Sequence, residues 1–67
     1  MTADHLFIHA IVITMRGNGV GIIEDGAVAV TGSRISAVGP TEEILAEWKG
    51  HRVINAAGKV IKVGGQG

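Results

Sequence analysis

The chain has 67 residues, no cysteine, and six basic residues balanced by six acidic ones. That length accommodates one small domain, which buries only about 60% of the surface its unfolded form exposes. Disulfide staples and thiolate metal sites are excluded, and the balanced charge sets up no net field toward nucleic acid, anionic lipid or acidic substrates.

Apolar residues make up 46% of the chain, with one Phe, one Trp and no Tyr, so the apolar mass is mostly Ile, Val and Ala. β-Branched residues of this kind suit a pleated sheet. The first predicted strand runs from Leu6 to Met15. In simple alternation, Leu6, Ile8, Ala10 and Val12 point one way and Phe7, His9, Ile11 and Ile13 the other. Both faces are then apolar, a pattern of strands covered on both sides. The longest apolar run, Leu6 to Ile13 interrupted by His9, is far shorter than the ~20 residues that span a bilayer. Met1 to His5 carries no Lys or Arg, so a secretory signal is not expected. A cytoplasmic protein with no membrane partner is the expectation.

Asn18-Gly19 between apolar runs predicts a hairpin turn. Centring the turn there brings Val20 to Glu24 back along the first strand and pairs Ile13 with Glu24. A second hairpin is predicted with Gly32-Ser33 as its two-residue turn. Its register sets Val30 opposite Ile35 and Val28 opposite Ala37 on one face, with Thr31, Arg34 and Ser36 on the other. Gly32 in the first turn position suits a type II′ geometry, which requires positive φ there.

After Gly39-Pro40 the period changes. Thr41 as cap, Glu42 and Glu43 in the first turn and Gly50 as stop predict a short helix over 41–49. Its apolar stripe is Ile44, Leu45 and Trp48, and a helix of this length needs a sheet to dock on. Val53-Ile54 and Val60-Ile61 are short strand candidates around a turn at Ala56-Ala57-Gly58-Lys59.

None of the chemistry-bearing side chains forms a recognisable site. His5 and His9 stand four apart, a chelating spacing on a helix, but on a strand that spacing is ~13 Å and too long for one ion. His51 beside Arg52 reads as a solvated residue after the helix. Gly17-Asn18-Gly19-Val20-Gly21 resembles a phosphate loop only superficially, because no helix follows it. Glu24 and Asp25 are neighbours on a strand, point to opposite faces, and are not an acid–base pair. Glu42, Glu43 and Glu47 belong to a solvated helix face. Ser33 and Ser36 have no His partner for nucleophilic chemistry, and Trp48 reads as core. No catalytic, cofactor-binding or metal-binding residue is therefore assigned.

Three stretches taken in order carry a family resemblance: Ile23 to Val30, Gly32 to Pro40, and Val53 to Ile61. Together they resemble the N-terminus of the amidohydrolase superfamily, and Leu6 to Met15 resembles its first strand. The subgroup most similar is that of cytosine deaminase, S-adenosylhomocysteine deaminase and triazine chlorohydrolase, with dihydroorotase-like and imidazolonepropionase-like enzymes close behind.

The resemblance implies a mainly β fold: a small β-sandwich, half of a composite domain, with one short helix. Residues 1–61 would be the sandwich segment, and 62–67 a glycine-rich tail where a catalytic barrel begins. Gly64 matches the family's glycine there, whereas Lys62 and Val63 replace its usual residues. The family's zinc or iron is held by barrel residues that begin with an H-x-H pair, which this chain lacks. The expectation is a non-catalytic segment of a deaminase or chlorohydrolase type enzyme, inactive alone and partnered by the remainder of that enzyme. The alternative is a standalone β-rich module that self-associates.

Overall fold

A computed structural model describes residues 1–16 and 19–64. The described residues form five strands and one helix: β1 Thr2–Arg16, β2 Gly19–Thr31, β3 Arg34–Pro40, α1 Thr41–Glu47, β4 Lys49–Asn55 and β5 Val60–Gly64. The expected mainly β fold with one short helix is what forms. All the strands join one sheet in the order β3-β2-β1-β4, with β5 also on β1, which makes one of the two layers a sandwich requires.

β1 is the spine. It runs antiparallel to β2 along one edge and parallel to β4 and then β5 along the other. β4 and β5 lie end to end against it, joined by a turn that stays tied to β1: the Ala56 N–H donates to the Ile8 carbonyl and the Ile11 N–H to the Lys59 carbonyl. Within that turn Gly58 takes φ +82° and Asn55 Oδ1 accepts from the Ala57 N–H at 2.9 Å, an Asx turn.

The alternation expected along β1 breaks at His9, which adopts φ +62°. Three steps along β1 from Phe7 to Ala10 face two steps along β2 from Val28 to Gly26. The opposite mismatch follows at once, as two steps from Ala10 to Val12 face three from Gly26 to Ile23. Each strand thus carries one extra residue, and the bulges compensate, restoring the register beyond them. The consequence is a change of face. Leu6 and Ile8 belong to one apolar cluster, with Ala27, Ala29 and Ile44, whereas Ala10 and Val12 join Phe7 and Val28 in the other. A strictly alternating reading places Ala10 and Val12 with Leu6, because one inserted residue inverts everything after it.

Two predicted registers need the same kind of correction. Ile13 pairs with Ile22, not Glu24, and the Asn18 turn residue itself lies outside the described residues. In the second hairpin Val30 opposes Ile35 as expected. Ala37, however, opposes Ala29, and Val28 opposes Val38, because β3 carries one extra residue between Ile35 and Ala37. Ser36 sits there, and its hydroxyl donates to Thr31 Oγ1 at 2.8 Å. Gly32 has the expected positive φ, +61°, and its N–H donates to Asp4 Oδ2 at 2.6 Å, fastening the turn to β1.

The helix ends at Glu47, two residues short of the expected limit, with extended Trp48 as its C-cap. Lys49 already pairs with Thr2, so strand pairing, not Gly50, stops the helix. Thr41 is the first helical residue, not the cap. Pro40 precedes it and no side chain caps the helix. α1 packs on β2 and β3 with Ile44 buried, whereas Leu45 stays exposed.

Two glycines report on these features. A Cβ at Gly32 would meet nothing within 4 Å, so Gly32→Val should cost only the backbone strain, about 1–2 kcal/mol. A Cβ at Gly26, at the bulge, would lie 2.7 Å from Val12 Cγ2, and Gly26→Ala should destabilise by about 1–3 kcal/mol through overpacking. Pairing Gly26→Ala with Val12→Ala should relieve part of that penalty. Denaturant midpoints of the three variants check both expectations.

Candidate interaction face

The two faces of the sheet are covered unequally. Over the first, α1 closes a small core: Leu6 and Ala29 are fully buried, Ile44 nearly so, and Ile8, Ala37 and Trp48 pack around them. No helix lies over the second face among the described residues. An apolar trough of about 410 Å³ runs there instead.

Every strand contributes to the trough. Phe7 of β1 and Val28 and Val30 of β2 form its floor, Ile35 of β3 one wall, and Ile54 of β4 with Val60 and Ile61 of β5 the other. Lys59, from the turn between β4 and β5, is the one charged residue lining it. Ile35 is 50% exposed, Ile54 37% and Val60 57%. Fully burying one such side chain is worth about 1.5–3 kcal/mol. Apolar surface gathered in one concave patch is characteristic of an interaction site.

The polar residues singled out in the sequence are scattered, with one exception. His5 stacks on Phe7 with ring centroids 6.2 Å apart, and its backbone pairs with Arg52. His51 is exposed on β4, and Glu24, Glu42, Glu43, Glu47 and Ser33 are all exposed. Trp48 is half-buried against the first cluster. The glycine-rich stretch from Gly17 lies partly outside the described residues, and its described part, from Gly19, is strand.

The exception is His9. Its Nδ1 lies 2.8 Å from Asp25 Oδ1, so the two bulged strand segments are joined side chain to side chain. A carboxylate only accepts, so Nδ1 carries the hydrogen. The His9 N–H donates to Thr41 Oγ1 at 3.0 Å. Hydrogen bonding, first from His9 and then from Thr41, holds the Asp25 carboxyl below the ordinary aspartate range. Reading Asp25 only against its neighbour Glu24 misses this contact. Both residue types were visible in the sequence, but their meeting depends on a register that two bulges set.

His9 and Asp25 offer one imidazole and one carboxylate. Among the described residues no group of three metal-ligating side chains comes together, and a catalytic zinc site needs three protein ligands. The zinc or iron implied by the resembled family therefore has no fitting site in these residues. No helix among them is long and apolar enough to cross a membrane.

A family model described as the imidazolonepropionase-like composite domain of bacteria matches residues 26–48, the stretch from the β2 bulge to the end of α1. Imidazolonepropionase of Yersinia pestis is 40% identical over 62 residues, 92% of this chain and 14% of that protein. The enzyme of the same name from Erwinia tasmaniensis is 48% identical over 40 residues, 60% of this chain and 10% of that protein. That from Rhizorhabdus wittichii is 46% identical over 43 residues, 64% and 11% respectively. No solved structure matches the chain significantly. The chain thus spans 10–14% of the length of these curated relatives. The likeness found is to imidazolonepropionase, a different branch of the superfamily from the deaminase and chlorohydrolase group. Over nearly all its length the chain resembles imidazolonepropionase, a member of the amidohydrolase superfamily, and its central part carries that enzyme's composite-domain pattern.

Proposed function

We propose that this chain is the structural, non-catalytic composite-domain segment of an imidazolonepropionase-like hydrolase, and that it docks onto the remainder of that enzyme through its open apolar face. The observation that carries the reading is the 40% identity that extends over 92% of the chain. The trough supplies the physical means, because a second layer laid over Ile35, Ile54 and Val60 would complete the apolar core that α1 completes on the other side. The substrate in this reading is the imidazolonepropionate of the relatives' name, in place of the deaminase and chlorohydrolase substrates suggested by the strand motifs. The metal chemistry of such a hydrolase would reside outside these residues, and no catalytic step is derived for them.

Reconstitution tests the reading. The chain is co-expressed with Yersinia pestis imidazolonepropionase from which the 62-residue matching segment has been deleted. A one-to-one complex with imidazolonepropionase activity is expected, and Ile35→Lys with Val60→Lys should abolish it while leaving the far-ultraviolet dichroism of the chain unchanged. Complex formation insensitive to those two substitutions, or none at all, overturns the docking face. By itself the chain should associate through the same surface at tens of micromolar, a range in which uncovered apolar faces and strand edges cause assembly. Sedimentation equilibrium reads this out, and the two lysine substitutions should shift the chain to monomer.

A further inference from the structure

We propose that His9, Asp25 and Thr41 form an acid-released clasp that holds α1 to the two opposed bulges and keeps the first apolar cluster closed. The three residues come from three elements that are distant in sequence: β1, β2 and the first turn of α1.

The helix needs such a device. It has seven residues, no side-chain cap and no basic residue in its last turn, and a helix so short has little stability of its own. Beyond the burial of Ile44, its start is held through Thr41, which is only 2% exposed. A buried hydroxyl is costly unless bonded, and Thr41 Oγ1 accepts the His9 N–H at 3.0 Å. The same hydroxyl is near enough to Asp25 to help hold its carboxyl below the ordinary aspartate range.

The bulge makes the first bond available. His9 has no partner residue in the β1–β2 ladder, so its N–H is released from strand pairing and turned to the helix. A non-glycine residue at φ +62° is strained, although His is among the residue types that tolerate this region best. The His9 side chain then reaches Asp25 at 2.8 Å, so that His9 links the helix start to β2.

The clasp responds to acid through Asp25. Its carboxyl is held below the ordinary aspartate value of 3.8, chiefly by the bond from His9 and next by Thr41, against the opposing effect of desolvation, with the His9 charge adding least. From β1 the group facing it is His9, and from α1 it is the uncharged Thr41. Glu24 on its own strand and Glu42 and Glu43 on α1 are exposed. A carboxyl with a depressed folded-state value stabilises the fold fully above the unfolded value. That contribution is lost as the pH falls below 3.8 and through the depressed value.

The test uses the whole chain and follows the exchange of the His9 amide hydrogen by nuclear magnetic resonance. Asp25→Asn and Thr41→Val should each accelerate that exchange about five- to tenfold, the factor of an ordinary hydrogen bond. Thr41→Ser should retain the protection. Asp25→Asn should in addition flatten the acid limb of the stability profile below pH 3.8. Unchanged His9 protection and an unchanged acid limb in Asp25→Asn overturn the proposal. A readout on the unsubstituted chain guards against variants that do not fold. The carboxyl carbon of Asp25 and the protection of the His9 amide should titrate with one midpoint, and two separate midpoints also overturn it.

Discussion

The double bulge between β1 and β2 is the constraint on which the rest of the fold depends. β1 is paired along both edges, so its residues have no freedom to rotate individually toward whichever core needs them. A single inserted residue at His9 solves this by exchanging the faces of everything beyond it. Leu6 can then serve the cluster under α1 while Val12, on the same strand, serves the cluster beneath the trough. The compensating insertion in β2 keeps the ladder in register on either side. A one-sided bulge would have shifted the whole first hairpin.

That arrangement also explains why the sheet is finished on one side only. The small residues Ala3, Ala27 and Ala29 lie under the helix, where their size lets α1 approach closely. Larger Phe7, Val28 and Val30 face the trough. A face built from large aliphatic and aromatic groups, with Lys59 as its one charged lining residue, has the composition of a core and not of a solvated surface.

The polar residues follow the same logic. His9 and Asp25 satisfy one another at a point where two strands each carry an unpaired residue, and Thr41 supplies the partner that the displaced His9 N–H needs. His9 and Asp25 are exposed, whereas the Thr41 hydroxyl is buried, and a buried polar group with its bond made helps fix one geometry among many. No buried side-chain polar atom among the described residues lacks a partner. These contacts tie the two bulged strands and the start of α1 together.

Much of the fold was legible in the order of residues. Val and Ile runs separated by Gly32-Ser33 and by Ala56 to Lys59 specify strands and turns because backbone preference is local, and positive φ at Gly32 follows from the turn itself. Glu42 and Glu43 after Pro40 mark a helix start for the same local reason. The family resemblance was legible too, carried by the succession of three short motifs, although those motifs do not separate one branch of the superfamily from another. What the sequence left undetermined was everything set by register. Nothing about His9 in isolation says that it will stand at φ +62°, or that Ala10 will turn away from Leu6. Insertions in two strands can be placed only when both strands and the helix above them are present together. The His9–Asp25–Thr41 clasp and the trough are products of that placement, because each joins side chains whose sequence separation carries no signal and whose contact exists only once the sheet has chosen its faces.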